Sequence, residues 1–191
     1  MDYRQAAVKF TEVFNNYYPS AVGMKALFQA AKSYQNLGNN TKAQSMYERI
    51  YRQLGENEFQ SQALYELIRF SLSEKKFEQA NAMVNDFGRR FSASPLYASV
   101  LLLQMESFLA QQRYSEVQSA ALNYLQKYGE HKEQLDDVHY WAGYSAFQNK
   151  DDETALQQFN VLLTDYPQTR FKENVLLAEI ALEEAQNAKS V

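Results

Sequence analysis

A 37-residue repeat constrains this sequence more than any other feature, because a chain with such a period folds as a stack of similar units. One position recurs at Ala6, Ala43, Ala80, Val117 and Ala155. A second position, four residues later, recurs at Phe10, Tyr47, Val84, Ala121 and Phe159. A third, three residues before the first, recurs at Tyr3, Asn40, Phe77, Tyr114 and Asp152. All three series share steps of 37, 37, 37 and 38 residues, so the repeat extends over almost the whole chain.

Each repeat is predicted to contain two helices. The first helical face of the second unit contains Ala26, Leu27, Ala30, Ala31 and Tyr34. After a turn at Gly38, the second face contains Ala43, Met46, Tyr47, Ile50 and Leu54. An alanine where two helices cross lets them approach closely, and the larger side chain one turn later fills the space beside it. Val117 and Ala121 reverse this order of sizes, so we expect a swap that conserves volume.

These patterns predict a single all-α domain. Its parts are a half repeat at 2–18, full repeats at about 20–55, 57–92, 95–129 and 133–166, and a capping helix at about 169–188. Pro19, Pro95 and Pro167 fall at the boundaries between these units. A proline is tolerated there because the first N–H groups of a helix have no intrahelical partner. No alternating run of β-branched residues predicts a strand.

Composition excludes several classes of function. The chain of 191 residues has no cysteine, which excludes disulfides, thiolate metal sites and a cysteine nucleophile. Its 19 Lys and Arg against 23 Asp and Glu give a net charge of −4, and no basic block favours nucleic acid. No apolar run is long enough to predict direct membrane insertion.

No pattern in the sequence predicts a catalytic site. The two histidines, His131 and His139, are not clustered with carboxylates, and no phosphate-binding loop or nucleophile elbow is present. The acidic groups at Asp136-Asp137 and Asp151-Asp152-Glu153 are predicted to complement the N–H groups at helix starts. We therefore expect no enzyme activity, no catalytic residues, no metal site and no cofactor.

The best-preserved unit carries the motif of a known family. Trp141, Gly143, Ala155, Phe159 and Pro167 have the spacing of a tetratricopeptide repeat (TPR), which the chain resembles over nearly its whole length. The residue motif of this repeat is similar to that of the periplasmic branch of the family, which includes the outer-membrane β-barrel assembly lipoproteins and the Tol–Pal-associated protein. The resemblance implies a right-handed superhelical array, or α-solenoid, located in the periplasm or cell envelope. A cytoplasmic location stays open.

The resemblance also implies a groove lined by the first helix of each repeat, where a partner protein or peptide binds. Mapped onto the repeats, the candidate groove residues are Phe28, Lys32, Tyr65, Arg69, Glu106, Tyr140 and Tyr144. Trp141 is instead expected between the helices. Some members of the family grip a terminal carboxylate with a clamp of Lys and Asn. Glu66 stands at one of the matching positions and would repel a carboxylate, which argues against a chaperone adaptor.

The first predicted helix has no first-helix partner of its own in the repeat pattern. Its apolar side contains Ala6, Phe10, Val13, Phe14 and Tyr17. We therefore expect that the chain is excised from a longer protein, and this helix is a candidate for pairing with a second copy.

Three functions follow from these patterns. The first is a non-catalytic scaffold for protein–protein interaction, with a possible role in envelope assembly. The second is a structural module that forms a homo-oligomer through the N-terminal helix. The third is an accessory domain of a larger enzyme.

Overall fold

The computed structural model describes residues 2–53, 58–129 and 135–189. Within these ranges every regular element is an α-helix, as the sequence predicts. The helices are α1 (Tyr3–Tyr17), α2 (Ala21–Asn36), α3 (Asn40–Tyr51), α4 (Gln60–Ser73), α5 (Phe77–Arg90), α6 (Tyr97–Ala110), α7 (Tyr114–Tyr128), α8 (Leu135–Gln148), α9 (Asp152–Asp165) and α10 (Lys172–Lys189). Leu54 and His131, two positions considered above, lie outside the described residues.

The chain divides into two compact units, Met1–Leu103 and Gln104–Val191, which are called unit 1 and unit 2 below. Unit 1 contains α1 to α5, unit 2 contains α7 to α10, and α6 contributes residues to both. The single domain and the repeat ranges stay predictions from the sequence.

The 37-residue period reappears in the positions where helices begin. The second helix of each pair starts on a member of the third sequence series, at Tyr3, Asn40, Phe77, Tyr114 and Asp152. Ala43, Ala80, Val117 and Ala155 are fully buried, which matches their predicted place where helices cross. Val117 and Ala121 are both fully buried as well, so the reversed pair still fills the contact between helices.

The turns inside the helix pairs repeat with the same period. Gly38, Lys75, Gln112 and Lys150 all have a left-handed backbone, with φ between 56° and 72°. In each turn this residue donates its N–H to a carbonyl three residues earlier, and the next residue donates to a carbonyl five residues earlier. This pairing is a Schellman motif, which satisfies carbonyls left open at a helix end. Only the first of the four turns uses glycine.

The core of unit 1 follows the predicted helical faces. Ala26, Leu27 and Ala31 from α2 pack with Ala43, Tyr47 and Ile50 from α3. Phe59, Ala63, Leu67 and Phe70 extend the same cluster onto α4. A second cluster contains Leu64, Ile68, Val84, Phe87 and Val100. Each pair of consecutive helices from α1 to α5 is in contact, so burial of one helical face after another stabilises the unit.

α1 covers its apolar side with α2. Asp2 caps the helix by accepting from the N–H groups of Arg4 and Gln5, at 2.9 and 3.2 Å. Ala7 and Phe14 are buried, whereas Ala6, the member of the repeat series, is only half-buried. Ala7 and Phe14 lie about two helical turns apart and therefore on the same side of α1. The face that α1 presents to α2 is thus slightly rotated from the face that contains Ala6. Gly23 of α2 permits this contact, since a Cβ there would lie 2.7 Å from the carbonyl oxygen of Tyr17.

The core of unit 2 is built around α8, which packs against both α7 and α9. Ala146, Ala155, Phe159, Leu162, Val175 and Leu182 form one buried cluster. Gly143 lies directly against the Phe159 ring, and a Cβ at this position would be only 2.6 Å from a ring carbon. Trp141 is half-buried, so only part of its ring is withdrawn from solvent.

Candidate protein-interaction surface

The predicted groove residues lie on first helices in both units. Phe28 and Lys32 are on α2 and Tyr65 and Arg69 are on α4, all in unit 1. In unit 2, the exposed Glu106 is on α6, and Tyr140 and Tyr144 are on α8. Because the two sets belong to different units, each is described by itself.

In unit 1, Phe28 is a core residue. Only 7% of its surface is exposed, and its ring stacks on Phe59 and meets the edge of Tyr47, with centroids 5.5 and 5.6 Å apart. The exposed Lys32, one turn later on α2, places its amine 6.0 Å from the Phe28 ring. At this point of α2 the exposed group is therefore the Lys32 ammonium, and the Phe28 ring beside it is buried.

A polar network joins α2, α3 and α4 beside this point. The Tyr47 hydroxyl donates to Gln35 at 2.9 Å, and the Gln35 amide donates to the Glu66 carboxylate at 3.2 Å. Arg69 also donates to Glu66, at 3.3 Å, and its guanidinium lies 5.9 Å from the Tyr65 ring. Glu66 thus has two donors, so its charge is already partly compensated within unit 1.

Burial raises the pKa of the Tyr47 hydroxyl, and the nearby Glu66 carboxylate raises it further against the opposing charge of Arg69. The hydroxyl therefore remains protonated at neutral pH and acts as a permanent donor to Gln35. The network fixes the position of the α4 side chains that the sequence predicted for the groove.

Unit 2 contains the most continuous aromatic surface on a first helix. Tyr140 and Tyr144, one turn apart on α8, stack with ring centroids 5.7 Å apart and an angle of 18° between the planes. Phe171 stacks on Tyr140 at 3.9 Å with an angle of 2°. Tyr114 meets Tyr144 edge to face at 5.9 Å. We call these four half-buried rings the aromatic ladder.

The ladder is partly withdrawn from water. Burial raises the pKa of Tyr140, with a further contribution from Tyr144, and it raises the pKa of Tyr144, with a contribution from Tyr114. A hydrogen bond with Tyr114 raises the pKa of Tyr144 further, so the Tyr144 hydroxyl already has a partner within the ladder. Rigid, amphipathic rings of this kind offer a large contact area at a low cost in conformational entropy.

One end of the ladder is polar. The Arg170 guanidinium lies 4.7 Å from the Phe171 ring and donates to the Asp137 carboxylate at 2.6 Å. Asp136, the neighbour of Asp137, accepts from the Thr169 hydroxyl at 3.3 Å. These bonds attach the segment before α10 to the start of α8, which places Phe171 on Tyr140.

Two members of the ladder were not predicted from the sequence. Tyr114 is the first residue of α7, and Phe171 lies in the connection before α10, so neither belongs to the first-helix positions used to map a groove. The third repeat series did contain Tyr114, which was the available signal. Phe171 reaches the ladder because Thr169 and Arg170 bind Asp136 and Asp137 at the start of α8. Residue spacing along one helix does not predict such contacts.

The described residues show no cluster of three or more His, Cys, Asp and Glu side chains that could hold a metal ion. Nδ1 of His139 hydrogen-bonds with Oε1 of Gln158 at 2.8 Å, and its ring lies beside Tyr166. Asp151 caps α9 by accepting from the N–H of Thr154 at 3.2 Å, as predicted for this acidic group. In the same ranges, no helix is long and apolar enough to cross a bilayer.

Comparison with known families matches the repeat pattern. The outer membrane lipoprotein family YfiO matches residues 57–188, and a tetratricopeptide-repeat family matches residues 25–54. No sequence among the curated proteins matches this chain. Tetratricopeptide-repeat families generally act as non-catalytic scaffolds for protein–protein interaction, and the lipoprotein family indicates association with the cell envelope.

Two solved structures share the fold. "MamA RS-1 ArsTM double mutant" is 15% identical, with a TM-score of 0.65 over 96% of this chain and 86% of that chain. "MamA AMB-1 P212121" is also 15% identical, with a TM-score of 0.66 over 91% of this chain and 87% of that chain. At this identity they show the fold alone, which confirms the predicted α-solenoid of helical repeats.

Proposed function

We propose that this chain, which belongs to the YfiO family of outer membrane lipoproteins, is a non-catalytic scaffold that holds a partner protein in the cell envelope. It binds an extended or helical segment of that partner on the first helices of its repeats. The aromatic ladder of unit 2 is the main contact. The ladder carries this proposal, because it brings four half-buried aromatic rings into contact with one another beside α8.

The ladder has the composition of an interaction hot spot. A few residues carry most of the binding energy at an interface, and tyrosine is enriched among them, most often in well-packed positions. Here Tyr140 is held between Phe171 and Tyr144, with centroid distances of 3.9 and 5.7 Å. A partner segment that presents apolar or aromatic side chains gains area on these rings without having to immobilise them first.

The first-helix surface of unit 1 contributes charge instead of area. The exposed Lys32 over Phe28 and the Tyr65–Arg69 pair lie on α2 and α4. Since Arg69 is already paired with Glu66, Lys32 is the stronger of the two cations toward an acidic group of the partner. Contacts of this kind steer association more than they add affinity.

Site-specific photo-cross-linking tests the proposal. A benzophenone amino acid is placed at Tyr144 in the ladder, or at Tyr128 as a matched control, and cells are irradiated before purification. Tyr128 is a half-buried tyrosine of the same unit, but it lies on the second helix α7 and packs on Tyr124. We expect an adduct with a distinct protein from position 144 and none, or a different one, from position 128.

Circular dichroism of both labelled proteins must first show the helical content of the wild type. Equal adducts from the two positions would contradict binding at the ladder. An adduct whose second component is this same chain would instead support the self-assembly alternative.

Self-assembly has one observation in its favour. Val8 and Tyr17 of α1 and Val22 of α2 are 57–59% exposed, although Phe14 of α1 is buried. Sedimentation at rising protein concentration separates the two functions: a constant mass of one chain supports the scaffold, and a mass that doubles supports the homo-oligomer.

A further inference from the structure

The helix α4 shows how a first helix of this fold buries two of its faces. One set of its side chains packs in a cluster with Tyr47 and Ile50 of α3, the helix before it: Ala63, Leu67 and Phe70. Another pair packs in a cluster with Val84 and Phe87 of α5, the helix after it: Leu64 and Ile68. A first helix therefore needs a second helix on each side to withdraw both sets from water.

The helix α10 buries only the first of these faces. Val175 and Leu182 have the repeat positions of the α3-facing set, and they are buried in a cluster with residues of α9. Leu176 and Ile180 have the repeat positions of the α5-facing pair, and we call them the open face of α10. The pair on α4 is fully buried, whereas Leu176 and Ile180 are 43% and 53% exposed. Adjoining exposed apolar side chains of this size mark interaction sites.

Side chains of complementary size meet where a first helix crosses its second helix. The repeat equivalents of Ile180, each with the second-helix side chain that lies beside it, are Ala31 with Tyr47, Ile68 with Val84, and Gly143 with Phe159. The smallest residues thus accompany aromatic rings, and the larger Ile68 accompanies a valine. We therefore expect a helix that covers the open face to present valine or a smaller residue to Ile180.

The N-terminal helix of a second copy does not match this requirement. α1 is the second helix without a first helix in the repeat pattern, and Phe10 has the position that Val84 has in α5. Placing Phe10 against Ile180 would combine two large side chains, which none of the three pairs above does. The open face of α10 therefore fits a helix from another protein better than it fits α1.

Acidic side chains border the open face at both ends. Glu173 lies three residues before Leu176, and Glu183 lies three residues after Ile180, so the four side chains follow one stripe of the helix. Both of these glutamates are exposed. Burial raises the pKa of Glu179, and the charge of Glu183 one turn later raises it further. This negative charge favours a basic side chain on the helix that covers the face.

The contact between α4 and α5 indicates where that basic side chain belongs. Ser71 of α4 has the repeat position of Glu183, and its hydroxyl lies 3.9 Å from Sδ of Met83 on α5. Met83 directly precedes Val84, the residue that accompanies Ile68. A lysine or arginine directly before the small residue of a covering helix would therefore lie beside Glu183.

We propose that the open face of α10 binds an amphipathic α-helix of a partner protein, in the place that a second helix occupies in the full repeats. The bound helix presents alanine or valine to Ile180 and, one residue earlier, lysine or arginine to Glu183. No member of the aromatic ladder belongs to α10, so this surface is an interaction site in addition to the ladder. It recognises a folded helix by its side-chain size and charge.

Methyl NMR of the whole chain with three synthetic peptides tests the proposal. The probe is an acetylated and amidated peptide with the sequence of α5, Phe77–Arg90, and the change Met83→Lys. This helix is chosen because it already covers the α5-facing pair of α4. A second peptide adds Val84→Phe to the probe, and a third has Met83→Glu in place of Met83→Lys.

We expect the probe to shift the methyl signals of Leu176 and Ile180 with a Kd of roughly 0.1–1 mM, because a short peptide must also form its helix on binding. The Val84→Phe peptide should bind about tenfold more weakly, since its ring overpacks the contact with Ile180. The Met83→Glu peptide should bind about fivefold more weakly, since it places two carboxylates together.

Two pairs of neighbouring variants of the chain assign the contact. Ile180→Asp should weaken the probe about tenfold or more. Ala181→Asp makes the same charge change at an exposed residue about 100° around the helix, and it should keep the affinity within about twofold. Glu183→Lys should reverse the charge preference, so that the Met83→Glu peptide binds more tightly than the probe. Glu184→Lys, at the next exposed residue, should leave the order of the peptides unchanged.

Circular dichroism of the four variants must first match the wild type. Because Glu183 is exposed, the charge-reversal test remains decisive even if Ile180→Asp lowers the helical content.

Several results would overturn the proposal. Binding of the Val84→Phe peptide as tightly as the probe would contradict the size requirement, and equal losses in Ile180→Asp and Ala181→Asp would reduce the effect to net charge. Self-association of the chain that Ile180→Asp abolishes would make a second copy the occupant of the open face. Absence of any shift at Leu176 and Ile180 with all three peptides would show that the open face binds no helix of this kind.

Discussion

Replacing Gly143 by alanine tests the packing of unit 2 most sharply. The new Cβ would lie 2.6 and 2.7 Å from two carbons of the Phe159 ring and 3.2 Å from Cβ of Gln158. Carbon atoms pack at about 3.5–4.0 Å, so the ring must move by about 1 Å. Because Phe159 is fully buried, we expect this movement to push α8 and α9 apart.

The magnitude follows from two opposing effects. Overpacking of this kind costs about 1–3 kcal/mol of stability. Alanine is better than glycine within a helix by about 1 kcal/mol, which offsets part of the loss. We therefore expect Gly143→Ala to lower the free energy of unfolding by about 1 kcal/mol, within a range of roughly 0–2 kcal/mol.

Gly88→Ala is the matched control. Gly88 lies near the end of α5, and a Cβ there would lie 3.2 Å from the hydroxyl of Tyr97, the far end of a half-buried side chain, and 3.5 and 3.7 Å from two carbons of its ring. This variant gains helix propensity without displacing a buried ring, so it should be neutral or stabilising by up to about 1 kcal/mol. The difference between the two variants isolates the packing cost.

Urea unfolding measured by circular dichroism and by fluorescence gives both free energies. Trp141 is the single tryptophan of the chain and lies two residues from Gly143, so its emission reports on unit 2. Combining Gly143→Ala with Phe159→Leu should cost less than the sum of the two single changes, by at least about 0.5 kcal/mol, because the smaller side chain makes room for the methyl group. Strict additivity, or a Gly143→Ala variant as stable as Gly88→Ala, would refute the close contact between α8 and α9.

Three further changes have defined outcomes. Lys75→Gly should stabilise unit 1 by about 0.5–1 kcal/mol in thermal melts, because Lys75 has a φ of 57° that glycine adopts without strain; a loss of stability would contradict this turn geometry. Tyr47→Phe should cost about 1 kcal/mol in urea, since it leaves Oε1 of Gln35 without its donor; an unchanged midpoint would show that the bond contributes nothing. Burial alone would raise the pKa of Asp86, but hydrogen bonds from the Tyr51 hydroxyl and two arginines outweigh it and lower the pKa below 3.8. The stabilisation from Asp86 should therefore be complete above about pH 4 and fall as the pH drops through the lower folded value; Asp86→Asn should flatten part of this acid limb, and an acid limb unchanged from the wild type would contradict the assignment.

The helical repeat could be predicted from the sequence because one small residue and one large residue per unit determine where helices cross. Ala43 with Tyr47 and Ala155 with Phe159 are buried as that pattern requires. The position of Gly38 in a left-handed turn could also be predicted, since glycine favours that backbone.

The other turns could not be predicted in the same way. Lys75, Gln112 and Lys150 adopt the left-handed backbone although their side chains disfavour it. The Schellman hydrogen bonds and the packing of the flanking helices impose this conformation, and neither is visible in residue type.

The candidate surface was only partly predictable. The spacing placed Tyr140 and Tyr144 together on α8, where they stack. It also placed Phe28 beside Lys32 on the groove side, but stacking with Phe59 and Tyr47 buries the Phe28 ring. Such contacts depend on which rings neighbouring helices supply, and helical spacing within one segment does not contain that information. The role of these residues in binding stays a prediction.

The affinity of the cross-linked partner for variants of the ladder tests the central claim most directly. Binding of the purified partner is measured by calorimetry for the wild type, Tyr144→Ala and the control Tyr128→Ala, after circular dichroism shows that all three are folded. If the ladder is the main contact, Tyr144→Ala should weaken binding about thirtyfold, the effect of losing a hot-spot residue worth about 2 kcal/mol, and Tyr128→Ala should change it less than about threefold. Equal affinities for all three proteins would contradict a partner site on the ladder.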